Sequence, residues 1–280
     1  MRVARSRELV AQGRPAALVA RVAGISRQAI YRRPKRPPAG QRRPLTATDR
    51  VVLEVARANP TDGTRMVAAL TGRELGGQVN RKRVQRLMRE HRLLQRRRSE
   101  GRRHRPGFFC VERPDQLWHL DMTSVWVAEH GWTYLNAAID CCTREIVGWA
   151  LDIRCRAHEA GAVIDAAVAE RGIRAGELTL GTDNGTAFTS RAFRARLAEL
   201  EIRHRRGGYR DPESQAFIES WFGKLKEREV WLNEYETLDD ARRGIGGYVD
   251  RYHHRPHSRL DYKTPYEVKE TWEDLQNIAA

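Results

Sequence analysis

The chain has 280 residues, 40% apolar and 31% charged, with a net charge of +15 at pH 7, enough for one large or two modest globular domains with a real core. Its most apolar stretch, residues 157–169, is broken by His158, Glu159 and Asp165, far short of the roughly 20 apolar residues of a membrane span. Cys110, Cys141, Cys142 and Cys155 show no CxxC spacing, which excludes a disulfide framework and a thiolate zinc site. With no continuous apolar signal segment near the N-terminus, the expectation is a cytoplasmic protein with no membrane partner.

The charge is unevenly placed. Residues 1–113 hold 29 Lys and Arg against 8 Asp and Glu, whereas residues 114–280 hold 22 against 28, and 45 of the 51 cations are arginine. The planar guanidinium grips phosphate in two-pronged fashion, so the first part reads as a polyanion binder, with DNA or RNA the natural partner. Solubility alone does not require arginines to be concentrated in one part of the chain. The basic helices also lack the Trp/Phe/Leu-rich face of a membrane-surface helix.

In chain order, residues 15–23 place Leu18, Val19 and Val22 at helical spacing. Gly24-Ile25-Ser26 then makes a turn with Ser26 as N-cap, and a second helix, 27–33, stops at Pro34. This predicts a helix-turn-helix unit over 1–34, with Ser26, Arg27, Gln28, Tyr31, Arg32 and Arg33 facing DNA. Residues 35–44 form a Pro/Arg linker. A second helical unit spans 45–94. Thr48 is expected to cap a helix through Val51, Val52 and Val55, residues 60–63 break it, Met66–Leu70 form a short helix, and Asn80 caps a helix over 81–91. Val84, Leu87 and Met88 form its buried stripe, leaving Arg81, Lys82, Arg83 and Arg86 for DNA. Residues 95–114 are a basic linker.

From 115 the pattern changes. Strand-like runs at 116–127, 132–139 and 145–151 read as an antiparallel meander. A helix over 157–171, a strand at 178–181, a helix at 191–200, a strand at 201–205 and a helix at 214–231 follow. That succession is a mixed α/β layer fold over 115–235, with a helical extension over 236–280. Trp118, Trp132, Trp149 and Trp221 are expected in the core. His204, Arg205 and Arg206 fall in a basic loop ahead of the last helix, a candidate DNA clamp. His253, His254 and His257 lack further ligands at workable spacing for zinc.

Three acids stand out: Asp121 in mid-strand among residues that belong inside, Asp183 in a Thr-Asp-Asn-Gly turn at a strand's end, and Glu219 inside an apolar helix. Singly, an Asp-Asn-Gly turn is structural and a helical Glu can face solvent. Gly223, which follows Glu219 on one helix face ahead of Lys226, either admits a phosphate backbone or permits close helix packing.

The combination resembles a known family. Trp118-x-x-Asp121-x-Thr123, Tyr134-Leu135, Ile139-Asp140, Arg144-x-Ile146-Val147-Gly148-Trp149, Asp183-Asn184-Gly185, Glu219-Ser220-x-Phe222, Leu225-Lys226 and Tyr252-x-His254-Arg255-Pro256-His257 look like the catalytic core of bacterial insertion-sequence transposases. The match is to the insertion-sequence-three family, OrfB-type component. Thirty-five residues separate Asp183 from Glu219 and Lys226 follows seven after the Glu, as in that family's DDE motif. The resemblance covers about residues 115–270 and extends weakly into the upstream helices.

It implies an RNase H-like, integrase-type core with a mixed five-stranded sheet, and Asp121, Asp183 and Glu219 as catalytic metal ligands. Two Mg²⁺ ions per site are implied, Mn²⁺ able to substitute, with Asp121 bridging them and Lys226 holding DNA. The implied activity is cleavage and strand transfer of an element's terminal repeats into target DNA by a DNA-assembled homo-oligomer, with a possible upstream-frame helix-turn-helix partner. Two positions depart from the family: Ser214-Gln215-Ala216 where Asp-Asn-Ala is common, and Asp62-Gly63-Thr64 where an aromatic-glycine step is common. A DNA-binding regulator with an inert core and an RNase H-like nuclease stay open as alternatives.

Overall fold

A computed structural model describes residues 2–32, 44–95, 111–207 and 216–279. Arg33, Cys110, Gly208-Tyr209, Ser214-Gln215 and most of both linkers lie outside them. The chain divides into two compact units, 1–50 and 51–280.

The first unit opens with a helix the sequence reading missed, α1 (Arg2–Ala11), whose few apolar residues are interleaved with arginines. Then come α2 (Ala16–Ala23) and α3 (Arg27–Tyr31). Gly24 ends α2 in the left-handed region, at φ 64°, where glycine carries no Cβ penalty. The Ser26 hydroxyl accepts the Ala29 N–H at 3.2 Å, the expected N-cap. Val19, Ala20 and Ile30 are buried, with Leu9, Val10 and Ile25 packed around them. α1 also supplies Arg7, which donates to the carbonyls of Ile30, at 2.7 Å, and Arg32, satisfying the bare C-terminal end of α3.

α4 (Ala47–Ala58) starts two residues earlier than expected, and Thr46 rather than Thr48 caps it. Thr46 Oγ1 accepts the Asp49 N–H at 3.2 Å while Asp49 Oδ2 accepts the Thr46 N–H at 3.0 Å. The reciprocal box needs an acid three residues on, and Thr46 has one.

In the second unit, α5 (Thr64–Glu74) is longer than the expected Met66–Leu70, and α6 (Arg81–Glu90) begins where Asn80 Oδ1 accepts the Lys82 N–H at 2.9 Å. Val52, Leu53, Val67, Val84, Leu87 and Met88 are among the residues of the core these helices share.

The rest is one sheet with helices on both faces. Its strands are β1 (Leu117–Val127), β2 (Gly131–Asp140), β3 (Ile146–Asp152), β4 (Thr179–Thr182) and β5 (Arg203–Arg206), in the order β3-β2-β1-β4-β5. β1, β2 and β3 form the antiparallel meander, while β4 lies parallel to β1 and β5 parallel to β4. On one face Trp118 and Leu120 pack under α7 (Ala157–Arg171), α8 (Thr186–Thr189) and α9 (Arg191–Glu199). On the other, Val125, Val127, Leu135 and Ile139 meet Ile218, Trp221 and Leu225 of α10 (Ala216–Arg228) and Ile245 and Val249 of α11 (Leu238–His253). α12 (Pro265–Ala279) closes the chain. This is the expected mixed five-stranded α/β arrangement.

Two expectations are corrected. Trp132 is 60% exposed and stands edge-on to the similarly open Trp126 at the β1–β2 hairpin end, on the face opposite the buried Val125 and Val127. The helix expected to reach Trp231 stops at Arg228 and is followed by a 3-10 turn, Val230–Leu232. Among the described residues no helix is long and apolar enough to cross a membrane.

Candidate active site

The parallel pairing of β1 with β4 decides how two distant acids meet. Leu117 lies beside Thr179, Trp118 beside Leu180 and His119 beside Gly181. Continued two residues past that pairing, the same offset would bring Asp183, just beyond the end of β4, level with Asp121 of β1, at the end where ligands gather in α/β sheets. Asp183 leaves β4 in a tight turn, its Oδ1 accepting the Gly185 N–H at 2.8 Å. A Cβ on Gly185 would stand 2.9 Å from that oxygen, which is why glycine follows Asp183-Asn184. Asn184 Nδ2 donates to the Gly207 carbonyl at 2.9 Å, tying the turn to the end of β5.

The third acid arrives on α10. Side chains alternate along a strand, so Asp121 shares the face of Val125 and Val127, the face that α10 covers. Glu219 lies in the first turn of α10. Two residues before it, Phe217 stacks on His119 with ring centroids 6.0 Å apart, and the Arg144 guanidinium lies 3.3 Å from the Phe217 centroid. This cation–π contact pins the start of α10. Burial, with the charges of Arg144 and Arg205, pushes the His119 imidazole down to about 4.

Asp121 is half-buried, while Asp183 and Glu219 are exposed. Burial pushes the Asp121 carboxyl up to about 6, and the charges of Asp183 and Glu219 push the same way, against a hydrogen bond from the Met122 N–H at 2.7 Å. Asp183 and Glu219 are therefore both within electrostatic reach of Asp121. Among the described residues no group of three His, Cys, Asp or Glu is placed to hold a metal ion; like charges with no cation between them repel. The donor set nevertheless fits a hard divalent cation, being carboxylate oxygen only, in the number Mg²⁺ takes while keeping several waters. Asp140, the fourth acid of the motifs, has a different job: its buried carboxylate accepts the N–H groups of Asp115, Cys142 and Thr143 and so builds the β2–β3 turn.

An integrase core domain family matches residues 111–212, a second integrase core domain family residues 200–265, and an HTH-like domain family residues 46–101. A protein of insertion element IS476 from Xanthomonas euvesicatoria is 31% identical over 85% of this chain and 67% of its own length. The chain belongs to the insertion-sequence transposases. The transposase InsD of Escherichia coli insertion element IS2 is 28% identical over 94% of this chain and 93% of its own length. The match to the Lactococcus lactis IS904 transposase, 29% identical, spans 58% of this chain and 64% of that protein. The chain also shares its fold with a protein of the simian T-cell lymphotropic virus intasome, with a TM-score of 0.51 and 18% identity over 76% of this chain and 73% of the other.

The candidate DNA ligands fall on several surfaces. Ser26, Arg27, Gln28, Tyr31 and Arg32 are exposed at α3, Ser26 with its hydroxyl engaged as the cap. Arg81, Lys82 and Arg86 are exposed on α6, Arg83 is half-buried, and Arg86 pairs with Glu90 at 3.3 Å. Arg205 and Arg206 are exposed but belong to edge strand β5, not to a loop, because parallel pairing with β4 extends through Arg206. Lys226 is half-buried on α10. Gly223 is open: a Cβ there would meet nothing within 4 Å, so helix packing does not explain it.

Sequence reasoning missed a second constellation on α10. Asp62, 2% exposed, receives Arg228 at 2.6 Å and also Arg255, whose other Nη donates to Asn59 Oδ1 at 3.1 Å. The α4–α5 turn is thereby fastened to the C-terminal end of the helix that carries Glu219. Asp62-Gly63-Thr64, the family departure, was the signal in the sequence, but its two partners lie more than 160 residues away.

Proposed function

We propose that this chain binds the terminal repeats of a mobile DNA element and cuts and joins DNA strands by metal-dependent phosphoryl transfer at Asp121, Asp183 and Glu219. What supports the reading is the charge of Asp183 and Glu219, both of which raise the Asp121 pKa, together with the parallel register of β1 and β4, which continued past His119 and Gly181 would bring Asp121 level with Asp183. Two Mg²⁺ ions, or Mn²⁺ in their place, would when bound activate water or a 3′-hydroxyl and offset charge on the leaving oxygen. Asp121, Asp183 and Glu219 would hold these ions through their carboxylate oxygens. Lys226, two turns beyond Glu219 on the same face of α10, holds the phosphate backbone, and the open surface at Gly223 lets that backbone approach.

The helical units 1–34 and 45–94 supply duplex binding through Arg27, Gln28, Tyr31, Arg32, Arg81, Lys82, Arg83 and Arg86, with Arg205 and Arg206 engaging DNA beside the core. Two element ends need two active sites, so the working form is a homo-oligomer assembled on DNA. It acts on the DNA of the bacterial cytoplasm.

Joining of labelled end DNA with Mg²⁺ tests this. Asp121→Asn should lower it more than about 100-fold while end binding is retained. Unchanged joining in that variant sinks the assignment. Binding with neither cleavage nor joining in the wild type indicates a regulator, and cleavage without joining or preference for ends indicates a nuclease.

A further inference from the structure

A groove of about 1100 Å³ runs between α5, the glycine turn ahead of α6 and the turn at 258–262. Its charged lining is Arg65, Arg73, Arg81 and Arg259 against the single acid Asp261. The arginines come from three parts of the chain: α5, the first residue of α6, and the segment between α11 and α12. The HTH-like match ends at residue 101 and an integrase core match at residue 265, so the groove exists only where the two domains meet. From this we infer that the groove is a binding surface for the sugar-phosphate backbone of duplex DNA, distinct from the acidic site and adjoining the exposed face of α6 at Arg81. The inference rests on the DNA-binding reading above and extends it beyond Arg81 to Arg65 and Arg259, which that reading does not use.

The groove is held open by one of its own arginines. Arg73 donates to both Glu267 carboxylate oxygens, at 2.7 and 2.6 Å, and to the Tyr262 carbonyl at 2.8 Å. Glu267 in turn accepts the Thr264 N–H at 2.8 Å. The Arg73 fork is thus spent on fixing the 258–262 turn against α5, which sets Arg259 across from Arg65 and Arg81, all three exposed.

The rim between α5 and α6 is bare backbone at Gly76-Gly77, with Gln78 and Val79 beyond it. Gly76 sits at φ +65°, where a Cβ is strained, and a Cβ on Gly77 would meet nothing within 4 Å. Gly72 lets the turn close on α5, since its Cβ would stand 2.9 Å from the Gly77 carbonyl oxygen. A rigid cationic channel with a bare backbone rim suits a ligand of repeated negative charge approaching closely, which is the chemistry of a polynucleotide backbone. Arg81 opens the basic helix α6, so a duplex on α6 continues into the groove toward the core's C-terminal turn.

The full chain, a short DNA duplex of arbitrary sequence and a salt titration test this. Arg65→Ala with Arg259→Ala should weaken binding at least tenfold and make log K against log salt shallower by about 0.9 for each phosphate that is no longer neutralised. Arg65→Lys with Arg259→Lys, which keeps the charge, should restore most of the slope, and denaturant unfolding of each variant should match the wild type. Wild-type affinity and slope in the double alanine variant overturn the groove while leaving the DNA reading intact. A loss of self-association with unchanged DNA binding overturns it in favour of an interface between copies. A wild-type chain that does not bind, or binds with no salt dependence, overturns the DNA reading itself.

Discussion

The two ends of α10 handle carboxylates in opposite ways. At its C-terminal end, buried Asp62 receives guanidinium groups from Arg228 and Arg255. At its N-terminal end, Asp121 has a hydrogen bond from its neighbour's amide, and the acids facing it, Asp183 and Glu219, add charge of its own sign. A carboxylate taken out of water needs a compensating cation. At Asp62 the chain provides that cation; around Asp121 the neighbouring charges that raise its pKa are acids, as the proposed metal site requires. The comparison separates a joint from a site, although both involve one helix.

The largest effect belongs to the joint. Asp62→Ala leaves two guanidinium groups partly buried without their partner and should destabilise the chain by about 3–5 kcal/mol, read as a lower urea midpoint. A loss under about 1 kcal/mol would mean the α4–α5 turn is held by its apolar core instead.

The matching substitution at the other end should act with the opposite sign. The Asp121 carboxyl is raised from 3.8 to about 6 in the folded chain, so the folded state holds its proton more tightly than the unfolded state. That contribution to stability is present below pH 3.8 and is lost as pH rises through about 6. In chelator at pH 7, Asp121→Asn should therefore be more stable than wild type, by an amount of order 2 kcal/mol, and adding Mg²⁺ should reverse the order. A destabilised Asn variant in chelator would show that Asp121 is a structural acid like Asp62.

The smallest effect is expected at Glu267→Gln. Its ion pair with Arg73 is about 40% exposed on both sides, and surface pairs contribute about 1 kcal/mol or less. A larger loss would mean that the 258–262 turn is a second joint rather than a trimmed surface feature.

Much of the core was legible in the chain. Alternation gave the three meander strands to within a residue or so, and α7 was placed at residues 157–171 because its apolar run is bounded by Arg156 and Gly172. The Asn80 and Ser26 caps were legible for the same local reason: a side chain one turn from its amide partner declares itself in sequence. α1 was not, because its arginines mask a face that buries little. Trp132 misled, since a tryptophan at a hairpin end looks in sequence like one under a helix. Asp121, Asp183 and Glu219 could be nominated from their settings and spacing, but the parallel register of β1 with β4 is something neither strand displays alone.

Local sequence determined the helices, the strands, the caps and the basic bias of the first 113 residues, because propensity, alternation and capping act over a few residues. Tertiary structure decided the rest. It brought Asp62 to Arg228 and Arg255, set β1 parallel to β4, and lined one groove with arginines from three separate segments, because ion pairs and parallel strand pairing join residues whose separation along the chain carries no local signal.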